Sequence, residues 1–119
     1  MIGHAEVEDR DGVVVARVIG EIDLSNVEDV EKKILLAIQP DARGLVLDLT
    51  PTTYLDSTGI RMIFELARRL QDRRHDLRVV ATEDTLVHRV LAVTQVHDAI
   101  PIDTSVAAAV AALESKSLD

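Results

Sequence analysis

The sequence predicts an α/β fold, a mixed β-sheet with helices packed on it. Three observations carry that prediction. Short, β-branched apolar runs alternate along the chain with amphipathic stretches of helical period. The first two runs are separated only by Arg10-Asp11-Gly12, a hairpin signal, whereas helical stretches separate the later ones, as parallel crossovers require. The chain has 119 residues, 47% of them hydrophobic and 29% charged, which suits one folded domain over residues 1–119 rather than two, or a disordered chain.

Each element has a local reason. Residues 7–9 and 13–19 read as the two arms of a hairpin, with Gly20 ending the second. Ser25 then opens a helix, and Glu28 three residues on completes a capping-box pattern. Val27, Val30, Ile34, Ala37 and Ile38 recur at helical spacing, and Glu28, Asp29 and Glu31 precede Lys32 and Lys33 as the helix dipole prefers. Pro40 closes that helix. Residues 45–49 are nearly all apolar and fit a strand covered on both faces, followed by a loop over residues 50–55. Ile60, Ile63, Phe64, Ala67 and Leu70 then form an apolar stripe expected to face the core, with Arg61, Glu65, Arg68 and Arg69 turned to solvent. Residues 77–81 are a third covered strand. A helix follows through Leu86, Val87, Val90, Leu91 and Val93, then a short strand at 99–102 and a last helix through Val106, Val110 and Leu113.

Composition narrows the function. Thirteen Lys and Arg against 21 Asp and Glu give 13 − 21 = −8, a charge that repels phosphate backbones and anionic lipid, so neither nucleic acid nor membrane is an expected partner. With no Cys there is no disulfide, thiolate metal site or cysteine nucleophile. No apolar run approaches the ~18 residues of a membrane span. Residues 1–12 hold no apolar block of a secretory signal, and that absence together with the lack of Cys leads us to expect a cytoplasmic protein. The only aromatic residues are Tyr54 and Phe64, too few for a base-stacking platform or an aromatic cage.

One segment departs from bland core and solvated face. Asp56-Ser57-Thr58-Gly59 stands where a helix begins, so unpaired N–H groups there favour an anion; the plain alternative is an N-cap by Asp56 or Ser57. An aspartic protease needs Asp-Ser-Gly or Asp-Thr-Gly twice, and here one extra residue intervenes and no second copy exists. A nucleophile elbow needs Gly where Leu55 stands. A phosphate-binding loop needs Gly-Lys-Ser or Gly-Lys-Thr, which is absent. A response-regulator receiver would explain Asp48, Thr50-Pro51 and Asp56, but its late-strand Lys is missing, since the only lysines are Lys32, Lys33 and Lys116. His4, His75, His88 and His97 have no metal-ligand spacing and read as surface or cap residues, so neither metal nor cofactor is expected. The arginines at 68, 69, 73 and 74 read as the solvated end of a helix.

Gly20-Glu21-Ile22-Asp23, then Asp48-Leu49, then Tyr54-Leu55-Asp56-Ser57-Thr58-Gly59-Ile60, then Ile100-Pro101-Ile102 before an Ala-rich helix, together resemble the STAS domain family over essentially the whole chain. More narrowly, the chain resembles its stand-alone bacterial anti-sigma-factor antagonists. That resemblance implies a non-enzymatic domain that binds an anti-sigma factor, itself a serine kinase, and so frees a sigma factor. It implies phosphorylation of Ser57 by that kinase, loss of binding, and restoration by a serine phosphatase. Asp23 and Asp56 match the family's acidic residues beside the serine, and Thr58 is a second hydroxyl within the motif. Thr58 and Gly59 complete the expected partner-binding segment. Arg61 stands where the family often has Gly, and a cation in the first helical turn opposes the dipole, which points to a partner contact. The alternative is a STAS subunit that binds a small anionic ligand or serves a membrane transport complex, with Ser57 as a cap only. Elementary electrostatics agrees with the switch: a phosphoserine adds about −1.5 to −2 charge. The helix start would tolerate that charge, whereas Asp56 and a facing Asp23 would not, least of all inside a desolvated interface.

Overall fold

The computed structural model describes residues 2–116. Strand β1 (His4–Arg10) and strand β2 (Val13–Ile22) form the expected antiparallel hairpin, with Arg10 opposite Val13. Asp11 (φ 54°) and Gly12 (φ 92°) both take positive φ at its turn, the geometry that matches strand twist, and the Gly12 N–H donates to Asp9 Oδ1 at 2.7 Å. Helix α1 (Val27–Ala37) leads to β3 (Gly44–Asp48), which runs parallel to β2. Strand β4 (Thr52–Leu55) and helix α2 (Ser57–Asp72) follow, then β5 (Asp76–Val80), parallel to β3. Helix α3 (Leu86–Val93), a single 3₁₀ turn (Val96–Asp98), β6 (Ile102–Asp103) and α4 (Val106–Lys116) complete the described residues. The sheet order is β1-β2-β3-β5-β6, with β4 paired to β2.

Two cores lie on the two faces of this sheet. Val14, Ala16 and Val18 of β2 join Leu45, Leu47 and Val79 under α1, α2 and α3. The alternate residues Val13 and Val15 join Val46 and Val80 against Ala109, Val110 and Leu113 of α4. Coverage of both faces is why the strands read as continuous apolar runs.

Four expectations are corrected. Residues 50–55 are not all loop, because β4 lies within them: β2 continues past Gly20, a register shift follows, and Ile22 pairs with Leu55 in parallel. Thr52-Thr53-Tyr54-Leu55 carries no alternation, so only its partner strand reveals it. The strand expected at 99–102 is confined to Ile102–Asp103, beyond Pro101, where Arg78 grips Asp103 through two hydrogen bonds of 2.7 and 3.1 Å. The capping box at Ser25 does not form: Asn26 occupies the cap position of α1, and the Ser25 hydroxyl turns back to Asp23 Oδ1 at 2.5 Å. Phe64 does not face the core. It is 37% exposed, while Met62 and Leu66 lie buried on the inner face with Ile63 and Leu70. One residue is about 100° of helix, which carries Phe64 off the face that Ile63 shares with Leu66 and Leu70.

Leu66→Ala should therefore cost roughly 2–5 kcal/mol by opening a cavity, and Phe64→Ala less than about 1.5 kcal/mol. Urea unfolding of both variants measures the difference, and equal losses would contradict the assignment of the α2 faces.

Candidate functional site

The site begins at the carboxyl ends of two parallel strands, the position where α/β sheets gather function. Ile22 lies opposite Leu55, and the Asp56 N–H donates to Ile22 O at 3.4 Å, so the chain leaves the sheet at Asp23 and Asp56 in neighbouring register. Asp23 Oδ1 accepts from the Ser25 N–H at 2.9 Å as well as from its hydroxyl. Asn26, buried, fastens this turn: its Oδ1 accepts from the Asp23 N–H at 3.1 Å, and its Nδ2 donates to Glu21 O at 2.9 Å and Gly3 O at 3.3 Å. Sequence reasoning missed Asn26, although an Asn just before an apolar helical run is itself a start signal.

Asp56 is the N-cap of α2. Its Oδ1 accepts from the Thr58 N–H at 2.9 Å, the Gly59 N–H at 3.2 Å and the Thr58 hydroxyl. The Thr58 hydroxyl is the largest influence holding the Asp56 carboxyl below its ordinary range; burial pushes the other way, and the Gly59 and Thr58 N–H groups add to the lowering. The Ile60 N–H closes on Asp56 O at 3.1 Å. The donors that could await an anion are thus already taken by Asp56, the N-cap alternative that the sequence offered.

The two hydroxyls of the motif differ. Ser57 is exposed, and its hydroxyl has no hydrogen bond among the described residues. Thr58 is half-buried and its hydroxyl is held by Asp56. Gly59 is required by packing: a Cβ there would lie 2.3 Å from Leu55 Cδ1 and 2.8 Å from its Cγ, so α2 approaches β4 this closely only without a side chain. Arg61 is exposed, one turn beyond Ser57, with no ion pair among the described residues.

Beside this helix start runs a shallow groove between α1 and α2. Its floor includes Val27, Met62 and the 76% exposed Leu24, and Glu28, Glu31 and Glu65 supply negative charge along it. Burial pushes the Glu31 carboxyl up, against the opposing pull of Arg69. Glu65 is held by Arg68 and, at 3.4 Å, by Arg69. Asp48 lies apart from this site. It is 3% exposed, accepts from the Thr50 N–H at 3.0 Å and the Thr50 hydroxyl at 2.7 Å, and stands 3.8 Å from Arg17. Among the described residues, no cluster of His, Asp and Glu is arranged to hold a metal, and no helix is long and apolar enough to cross a membrane.

A sheet of this order, with a capped Asp-Ser-Thr-Gly helix start beside the end of β2, defines a STAS-type domain. The pattern of the STAS domain family matches residues 4–109, and the chain belongs to that family. It is similar to BtrV of Bordetella bronchiseptica, described as a candidate anti-sigma factor antagonist, at 27% identity over 105 residues, covering 88% of this chain and 90% of BtrV. An anti-sigma factor antagonist from Mycobacterium paratuberculosis, solved by crystallography, superposes with a TM-score of 0.85 at 26% identity over 95% of each chain. The phosphorylated form of the Bacillus cell fate determinant SpoIIAA shares the fold, with a TM-score of 0.65 at 21% identity over 87% of this chain and 95% of its own.

Asp56→Ala should cost about 1 kcal/mol at neutral pH through loss of the cap. Because the folded carboxyl is lowered, its stabilisation is complete above the ordinary carboxyl range and is lost as pH falls through the folded value. Urea unfolding of both proteins across acid pH should show the two stabilities converging at the acid end. A gap that stays constant would contradict the role given to the Asp56 charge.

Proposed function

We propose that this chain is an anti-sigma-factor antagonist whose docking is switched off by phosphorylation of Ser57. The observation that carries the proposal is the division of labour at the start of α2: Asp56 holds Thr58 and the helix N–H groups, which leaves the Ser57 hydroxyl exposed and free. Likeness over nearly the full chain to the Mycobacterium paratuberculosis antagonist supports the partner class. The same fold, solved in a phosphorylated SpoIIAA, supports the modification.

The partner is an anti-sigma factor with serine kinase activity, met in the cytoplasm. Ser57 Oγ attacks the γ-phosphorus of the ATP that the kinase holds. The new O–P bond forms, the bond to ADP breaks, and the hydroxyl proton passes to a base of the kinase. A serine phosphatase reverses the step with water, returning the hydroxyl and inorganic phosphate. This chain supplies the acceptor and the docking face; the catalytic groups are the partner's. Asp23 and Asp56 frame the acceptor, Thr58 and Gly59 fix the helix start, and Arg61 extends the face by one turn. A phosphoryl group adds about −1.5 to −2 charge next to the Asp56 carboxylate, and the closed interface does not tolerate desolvated like charges. The rival reading, a small anion bound at this helix start, is disfavoured by the donors that Asp56 already takes.

Calorimetric titration against the kinase partner tests the proposal. Ser57→Ala should bind and stay bound when ATP is added, whereas the wild type should be released. Ser57→Asp should bind about tenfold more weakly, roughly 1.4 kcal/mol. Wild type left unmodified by ATP, with Ser57→Asp binding as tightly as Ser57→Ala, would reduce Ser57 to a helix residue without a switching role.

A further inference from the structure

The phosphate that the preceding proposal places on Ser57 has an electrostatic problem within this chain. A helix start ordinarily receives such an anion through its free N–H groups. Here Asp56 occupies the N–H groups of Thr58 and Gly59, and its carboxylate stands one residue from the phosphate. Repulsion between that dianion and the Asp56 carboxylate is relieved by a cation within reach. Arg61 lies four residues after Ser57, so the two side chains share one helix face, with Cβ atoms about 5–6 Å apart and the anion on the N-terminal side, the favourable order for an ion pair. Arg61 is exposed and has no ion pair among the described residues. The carboxylates that border the same groove do not claim it: Glu65 is held by Arg68 and Arg69, and among the described residues Glu28 and Glu31 form no ion pair with Arg61.

We infer that Arg61 is an internal clamp for phosphorylated Ser57, pairing with the phosphate and leaving the docking groove when the modification arrives. Phosphorylation then acts twice on the α1–α2 face. It adds negative charge at Ser57, and it draws away the cation that lines the groove with Glu28, Glu31 and Glu65. The inference rests on Ser57 as the modified residue.

The test uses the full chain with phosphoserine installed at position 57 during translation, so that no kinase is needed. The ³¹P resonance is titrated with pH in this protein and in the same protein carrying Arg61→Gln. Loss of the clamp should raise the second phosphate midpoint by about 0.3 unit, and high salt should shrink the difference. In the protein that keeps Arg61, its side-chain Nε–H resonance should titrate with the phosphate midpoint. Equal midpoints with an unmoved Arg61 resonance would overturn the clamp. So would a phosphate that displaces Asp56 and shifts the Thr58 and Gly59 amides while Arg61→Gln changes nothing. The clamp is measured on an installed phosphate, so its failure is distinct from failure of the partner kinase to modify Ser57.

Discussion

Strand β2 serves two parallel partners in succession, β3 along residues 13–17 and β4 along 20–22, and the register of the second pairing governs the site. With Ile22 opposite Leu55, both chains leave the sheet together, which brings the Asp23 turn level with the Asp56 cap. The same pairing sets Leu55 beneath Gly59 so closely that a Cβ would collide with it, and so seats the first turn of α2 on the sheet. A slip of one residue would reverse the faces of β4 and dismantle both relationships. Asn26 reinforces the register from the other side by tying Gly3, Glu21 and Asp23 to the start of α1.

The chemistry follows from who receives the donors of α2. A carboxylate at the N-cap satisfies two of them and immobilises the neighbouring threonine. A single serine is left pointing to solvent, on a face that continues through Arg61 to the half-exposed Phe64. Placing Arg and an aromatic ring on that face gives it the residue types that anchor protein interfaces. Under the proposed function, the acidic groove beside it and the hydroxyl at its tip would join partner recognition and covalent control on one short surface.

Much of this was legible in the sequence. The hairpin, the covered strands β3 and β5 and the amphipathic helices follow from apolar period, and the Asp-Ser-Thr-Gly segment announced itself by breaking that period. What escaped was set by specific partners, one distant in sequence and the others within a few residues. Strand β4 exists because β2 reaches it past a bulge, and no alternation in Thr52–Leu55 foretells it. The capping box at Ser25 satisfied every local rule, but Asp23 claims the Ser25 hydroxyl and Asn26 takes the cap position. Phe64 falls on the helical stripe of Ile60, Ile63, Ala67 and Leu70, but the buried positions of Met62 and Leu66 turn the inner face of α2 away from it. At the start of α2 the sequence left open whether the N–H groups await an anion or are capped, and the side chain of the residue just before Ser57 caps them.

Site-resolved mass spectrometry after incubation with the kinase partner and ATP reads out which hydroxyl the Asp56 cap leaves available. One phosphoryl group should appear on Ser57, none on Thr58, and none anywhere in Ser57→Ala. A phosphoryl group on Thr58, or modification of Ser57→Ala, would contradict the assignment of Thr58 to Asp56 and of Ser57 to the switch.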